Sequence, residues 1–81
     1  MVQNHDMLKT PLLGVDVDLS VYLTLLKSRQ GMVPFVRFEK LKGALNLPNV
    51  TLEESLVRLM KKGWIERAKP SGSKAYYYAA L

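Results

Sequence analysis

Apolar residues recur with the period of an α-helix in the second half of the chain. Between residues 50 and 62, one face of the predicted helix is formed by Leu52, Leu56, Leu59 and Met60. The shorter segment 38–45 repeats the pattern with Phe38, Leu41 and Leu45. A spacing of three and four residues puts these side chains on one side of a helix. Both segments are therefore predicted as amphipathic helices, joined by a turn over residues 46–49.

A further helix is predicted ahead of these two, beginning near Asp16 or Asp18. Either aspartate can cap a helix, because its side-chain oxygen accepts a hydrogen bond from a free backbone N–H, and Gly31 is a stop signal. The predicted buried stripe consists of Leu19, Tyr22, Leu23 and Leu26, and it is widened by Val21 and Leu25. A stripe of this width predicts that part of it contacts a second subunit.

Shorter signals predict the extended segments. Ile65–Lys69 and Lys74–Ala80 are rich in strand-forming residues, and the turn residues Pro-Ser-Gly-Ser at 70–73 separate them, which predicts a β-hairpin. Met32–Val36 is short and apolar but contains Pro34, which cannot donate to a strand ladder. That segment is predicted as an edge strand or an extended connection.

Single residues at element ends carry further predictions. Gly63 is placed for a helix C-cap, and Trp64 after it is predicted to lie in the core between hairpin and helix. Asn49 is a predicted N-cap, and Thr51 with Glu54 forms an alternative capping box. Successive side chains of a strand alternate between faces, so the run of tyrosines at 76–78 must direct at least one ring outward.

The sequence pattern predicts one domain, residues 16–81, preceded by an N-terminal arm, residues 1–15. Pro11 and Gly14 interrupt the pattern there, while the apolar residues of the arm are expected to cover their own core or a second copy. A chain of 81 residues has room for one modest core. The only histidine, His5, has no ligand partners nearby in sequence, so no metal or catalytic role is expected of it.

Composition narrows the functional classes. The sequence contains no cysteine, which excludes disulfides, thiolate metal sites and cysteine nucleophiles. With no carboxylate pair in an acid–base setting either, we expect neither an enzyme nor a cofactor. No signal-peptide pattern is present and no apolar run approaches the ~18 residues of a membrane span, so a cytoplasmic protein without membrane contact is predicted.

Charge is distributed unevenly along the chain. The net charge is +5 and the isoelectric point is near 9.7. Residues 1–26 carry one lysine against three aspartates, whereas residues 27–81 carry eleven lysines and arginines against four glutamates. A basic C-terminal two-thirds favours a nucleic-acid partner, because phosphates attract lysine and arginine.

The run LEESLVRLMKKGWIER, followed by a basic turn and a tyrosine-rich strand, resembles the winged helix-turn-helix family. The resemblance is greatest to small MarR- and ArsR-like regulators and covers roughly residues 16–81. It implies an α+β fold of three helices with a small antiparallel sheet, in which the β-hairpin is the wing. It also implies double-stranded DNA as the partner, with helix 50–62 in the major groove and the wing, residues 66–76, on phosphates.

The resemblance assigns DNA contacts to exposed positions of the helix pair and the wing. Thr51 can form a hydrogen bond with a phosphate or a base edge, and Val50 can contact the methyl group of thymine. Arg58 can bind a phosphate or a guanine. The wing residues flank a small, flexible loop that can approach a backbone closely. The full predicted set is Arg37, Lys40, Lys42, Asn49, Val50, Thr51, Glu54, Arg58, Arg67, Lys69, Ser71, Ser73 and Lys74.

Glu53 and Glu54 depart from the family pattern, because carboxylates near phosphates are repelled. Three roles are open for these glutamates: they stabilise the first turn of a helix, they accept a hydrogen bond from the amino group of cytosine, or they bind a protein.

The leading hypothesis is a homodimeric, sequence-specific DNA-binding protein, either a small transcriptional regulator or a plasmid- or phage-type replication or partition factor. Its dimer surface would be residues 1–14 and the exposed side of the first helix. The alternative is a protein-interaction module of a transcription or replication assembly.

Overall fold

The computed structural model describes residues 15–81, which form three helices and three short strands. In chain order these are α1 (Val15–Gln30), β1 (Val36–Arg37), α2 (Phe38–Leu45), α3 (Asn49–Lys61), β2 (Ile65–Ala68) and β3 (Tyr77–Ala80). The predicted α+β class, with three helices and a small antiparallel sheet, is confirmed. The predicted arm lies outside the described residues except for Val15, where α1 begins.

The strands form one antiparallel sheet in the order β1-β3-β2. β2 and β3 are the predicted hairpin, although β3 is shorter than expected because pairing begins only at Tyr77. The two-residue strand β1 pairs with the other edge of β3 through Val36 and Tyr78. Pro34 lies in the connection ahead of β1, as its missing N–H requires.

The core is formed where the three helices meet one face of the sheet. The predicted apolar face of α3 is confirmed, since Leu52, Leu56 and Leu59 are at most 1 % exposed. In α2, Leu41 is fully buried and its predicted companions Phe38 and Leu45 pack against the core. Ile65 and Tyr78 from the sheet close the core from the other side.

The predicted buried face of α1 is confirmed in part. Val21 and Leu25 are fully buried and Tyr22 and Leu26 pack against the core, but the prediction is wrong for Leu19 and Leu23, which are 49 % and 46 % exposed. Apolar residues occur at so many positions of α1 that their spacing fits more than one face. The face that is buried also includes Asp18, an aspartate that packing has turned inward.

Neither predicted N-cap is present. The residue before α3 is Pro48, and it makes no side-chain cap bond, so Asn49 is already helical and the Thr51–Glu54 capping box is absent. Proline restricts the residue before it and supplies extended backbone at the boundary, which starts α3 without a polar cap. Asp16 and Asp18 lie within α1 rather than ahead of it.

The end of α3 is as predicted. Gly63 has a φ of +77°, its N–H bonds the carbonyl of Met60, and the N–H of Trp64 bonds that of Leu59. These two bonds are those of a Schellman motif, which requires a left-handed residue after the helix. The motif turns the chain directly from α3 into β2.

Two glycine-to-alanine substitutions are expected to change stability in opposite directions. Gly63→Ala should lower the free energy of unfolding by about 1 kcal/mol, because alanine strains the left-handed backbone although no atom lies within 4 Å of the added Cβ. Gly43→Ala, in open space within α2, should raise it by roughly 0.5–1 kcal/mol. Urea unfolding of both variants checks this, and effects of equal sign would contradict it.

Trp64 is not the core residue that the sequence predicted. It is 45 % exposed and its ring lies 5.4 Å, centroid to centroid, from that of Tyr22 on α1. Lys62 Nζ lies over the same ring, 5.2 Å from its centroid.

The prediction that the tyrosines at 76–78 cannot all be buried is confirmed, because Tyr78 is buried and Tyr76 is 40 % exposed. Within residues 15–81, no helix combines the length and apolarity needed to cross a membrane.

Candidate nucleic-acid interface

A buried polar cluster fixes α3 against α1. Ser55 Oγ donates to Asp18 Oδ1 at 2.6 Å, and Arg58 donates from Nε to Oδ2 and from Nη2 to Oδ1, each at 2.9 Å. The Asp18 side chain is 8 % exposed and that of Arg58 is 41 % exposed. Two-point binding of a carboxylate by a guanidinium fixes both position and rotation of the partner. The cluster therefore sets how α3 is rotated on the core.

The charge state of Asp18 follows from this geometry. Burial raises the pKa of Asp18, but the hydrogen bonds from Arg58 and Ser55 and the charges of Arg58 and Lys62 outweigh burial. The net pKa lies below its ordinary value of 3.8, and the same pairing raises the pKa of Arg58. Asp18 is therefore ionised at neutral pH and holds the guanidinium of Arg58.

This pairing engages a side chain that was predicted to contact DNA. We expected Arg58 to reach a phosphate or a guanine, but three of its hydrogen bonds go to Asp18. Nothing in the local sequence signals the pair, because its partners lie 40 positions apart. The same holds for Ser55, which is fully buried and was not predicted as part of any site.

The outward face of α3 carries two valines and two glutamates. Val50 and Val57 are 59 % and 45 % exposed, and Glu53 and Glu54 between them are also exposed. These four residues are spaced by three and four positions, so they share one side of the helix. Thr51 is half-buried and contributes less to this face than predicted.

Cations of the β2–β3 hairpin gather around the exposed ring of Tyr76. The guanidinium carbon of Arg67 lies 4.5 Å from the ring centroid, and Lys69 Nζ lies 5.3 Å from it. Cation–π contact at this distance contributes about 0.5–1 kcal/mol at an exposed site and restrains both side chains. Two of the predicted cations, Arg67 and Lys69, are thus held on one side of the hairpin by Tyr76, which lies outside the predicted set of contact residues.

An open groove of about 520 Å³ separates α3 from this hairpin. One wall carries Asn49, Glu53 and Val57 from α3, and the other carries Arg67 and Lys74. Tyr78 borders the groove too, and burial raises the pKa of its hydroxyl more than the neighbouring Arg67 lowers it. The groove thus has an acidic and apolar wall opposite a basic one.

The remaining predicted contact residues are not among those that line this groove. Arg37 Nε is 3.3 Å from Glu39 Oε1, an exposed pair of small energetic weight. Lys40 and Lys42 are exposed on α2. In the hairpin turn, Ser71 is exposed, whereas Ser73 Oγ accepts from the N–H of Ala75 at 3.1 Å, which leaves that side chain engaged within its own loop.

Within residues 15–81, no group of three or more histidine, aspartate or glutamate side chains is placed to hold a metal ion. No protein-family model matches the chain, and neither a curated protein nor a solved structure does.

Proposed function

We propose that this protein is a winged helix-turn-helix protein that binds double-stranded DNA sequence-specifically. It would act as a small transcriptional regulator or as a plasmid- or phage-type replication or partition factor. The order of elements supports this proposal, since α2 and α3 form a connected helix pair and α3 leads into the hairpin. In this arrangement the second helix enters the major groove while the hairpin approaches the adjacent backbone.

The observation that carries the proposal is the set of hairpin cations, Arg67, Lys69 and Lys74. Two of them are restrained on Tyr76, and Arg67 and Lys74 line the groove that faces α3. A duplex whose major groove receives α3 presents a phosphate backbone at such a groove. Phosphate contacts supply most non-specific affinity through release of counterions.

Reversing the charge of two hairpin lysines tests the proposal. The double variant Lys69→Glu, Lys74→Glu should bind all duplex sequences at least about tenfold more weakly than the wild-type protein. The slope of log K against log salt should become shallower by about 0.9 for each lost phosphate contact. Fluorescence anisotropy with a labelled random duplex at several salt concentrations measures both quantities.

The matched control is Lys27→Glu, which reverses the charge of one exposed lysine near the end of α1, as each hairpin substitution does in the hairpin. It should alter the slope far less than either hairpin substitution alone. A wild-type slope near zero would remove DNA binding through phosphates altogether. A hairpin variant that binds like the wild-type protein would remove this hairpin from the interface.

A protein partner is the second candidate function, and the outward face of α3 favours it. Exposed valines beside two glutamates are a combination suited to a basic, partly apolar protein segment. The double variant Glu53→Gln, Glu54→Gln separates the candidates, because removing two carboxylates should strengthen binding to random duplex DNA if they only repel it. Loss of a protein partner with no change in DNA binding would support the second function instead.

Homodimerisation belongs to the proposal because one small module gives little affinity and operators are usually two-fold symmetric. The exposed side of α1 offers an apolar surface that contains Leu19 and Leu23, with Trp64 beside Tyr22 at its edge. The other predicted part of the dimer surface, residues 1–14, lies outside the described residues. A cytoplasmic location also remains part of the proposal.

A further inference from the structure

The only arginine of α3 borders the face that would meet DNA, but its guanidinium is held by a carboxylate. Arg58 is bound through Nε and Nη2 to the carboxylate of Asp18, which is itself almost fully buried. Guanine presents two acceptors, N7 and O6, in the major groove, and arginine or lysine is the usual donor to both. The lysine of α3, Lys61, lies in its last turn, whereas the N-terminal residues of a reading helix contact the bases.

The face that remains exposed offers carboxylate acceptors and apolar groups. Glu53 and Glu54 lie at its centre, with Val50 one turn before them and Val57 one turn after. A carboxylate accepts a hydrogen bond from the N4 amino group of cytosine. An apolar side chain contacts the C5-methyl group of thymine, which no other DNA base carries in the major groove.

We propose that the outward face of α3 recognises cytosine amino groups and thymine methyl groups in the major groove, and that it does not recognise guanine. Glu53 and Glu54 are the acceptors and Val50 and Val57 are the methyl contacts. This inference rests on the proposed DNA-binding function and names the base chemistry of that same site.

The electrostatics of the groove are consistent with selectivity of this kind. The two carboxylates are repelled by phosphates whatever the base sequence, while the hairpin cations Arg67, Lys69 and Lys74 attract phosphates. Only a sequence that presents amino donors to Glu53 and Glu54 recovers a hydrogen bond in place of their lost hydration. The repulsion between these carboxylates and phosphates weakens binding to every DNA sequence, and the hydrogen bonds to cytosine offset it only at matching sites. The difference in affinity between matching and other sequences is therefore larger.

The first experiment selects duplexes from a random pool and then alters single groups of the best site. Replacing its cytosines with N4-methylcytosine, which blocks the amino hydrogen in the major groove, should weaken binding about tenfold. Replacing a contacted thymine with uracil (as deoxyuridine), which lacks the methyl group, should weaken binding about three- to fivefold. Replacing its guanines with 7-deazaguanine, which lacks the N7 acceptor, should leave affinity unchanged.

Protein variants connect each effect to its residue. In the variant Glu53→Gln, Glu54→Gln, the N4-methylcytosine effect should disappear and reselection should favour adenine, because glutamine pairs with adenine N6 and N7. In Val57→Ala or Val50→Ala, the loss of affinity caused by replacing thymine with uracil should become smaller, and only at the thymine that the altered valine contacts. Circular dichroism spectra and unfolding midpoints like those of the wild-type protein confirm that these exposed substitutions leave the fold intact.

Two outcomes would overturn the inference. One is that 7-deazaguanine weakens binding as strongly as N4-methylcytosine does; the other is that the glutamine variant binds every duplex more tightly with an unchanged site preference. In both cases binding to random duplex DNA still depends on salt, so the proposed function stands. A wild-type protein that shows no salt-dependent duplex binding refutes the proposed function itself, which keeps the two failures distinct.

Discussion

Arg58→Ala is expected to lower the free energy of unfolding by about 3 kcal/mol, the lower end of the range for breaking a buried ion pair from one side. The cost arises at Asp18, whose side chain is 8 % exposed and whose carboxylate would keep, among residues 15–81, only the hydroxyl of Ser55 as a hydrogen-bond partner. We take the lower end because the Arg58 side chain is 41 % exposed and is itself only partly desolvated. Thermal or urea unfolding at neutral pH measures the effect.

Lys61→Ala on the same helix is the matched control, because it removes an exposed cation that lies outside the Asp18 cluster. Its effect should stay within about 0.5 kcal/mol. An Arg58→Ala protein as stable as the control would mean that Asp18 finds water or another donor when the guanidinium is removed. The structure would then have assigned too large a role to the pair.

Acid should narrow the difference between Arg58→Ala and the wild-type protein. The pKa of Asp18 in the folded state lies below its ordinary value of 3.8, so the stability that its ionised form contributes is present above that value. It is lost as the pH falls through the lowered pKa, because the unfolded chain then binds the proton more readily. Unfolding curves collected between pH 7 and pH 2 should therefore converge below about pH 4.

Leu59→Ala is expected to cost about 3 kcal/mol, within the range for truncating a fully buried leucine. Leu59 is completely inaccessible to solvent in the core cluster, and it faces neither the groove nor the outward side of α3. Its removal leaves a cavity that a small, closely packed core closes only in part. With a urea m value of roughly 1–1.5 kcal/mol/M, the unfolding midpoint should fall by about 2–3 M.

Val57→Ala provides the comparison for this second variant. It also shortens an apolar side chain of α3, two positions earlier, but Val57 is 45 % exposed. Its cost should be at most about 0.5 kcal/mol, because the site is solvated and alanine favours helix more than valine does. Equal costs for the two variants would contradict the assignment of the buried face of α3.

The faces of α3 could be predicted from sequence and the faces of α1 could not, for a physical reason. In α3 the apolar residues fall on one side only, so burial has a single solution. In α1 the apolar residues surround most of the helix, and two residues predicted to be buried, Leu19 and Leu23, are about half exposed. Periodicity measures contrast between two faces, and α1 offers too little of it.

The candidate site shows the same division between local and distant information. The hairpin cations and the exposed glutamates could be predicted because charge and helical spacing are local properties. The restraint of Arg67 and Lys69 by Tyr76 depends on strand pairing across the turn. The engagement of Arg58 by Asp18 depends on how α1 packs against α3, because the two residues lie 40 positions apart in sequence. Both contacts follow from tertiary structure and have no local signal.

The Asp18 cluster has a consequence for the uniqueness of the fold. A helix that is apolar around most of its circumference can bury several of its sides with nearly equal loss of apolar surface, so hydrophobic burial alone leaves its rotation degenerate. The observed rotation brings the carboxylate of Asp18 to Ser55 and Arg58, whereas a rotation that turned Asp18 to solvent would take this partner from the fully buried hydroxyl of Ser55. The polar cluster thus selects one packing among competitors, and the leucines it excludes from the core become the outer surface of α1.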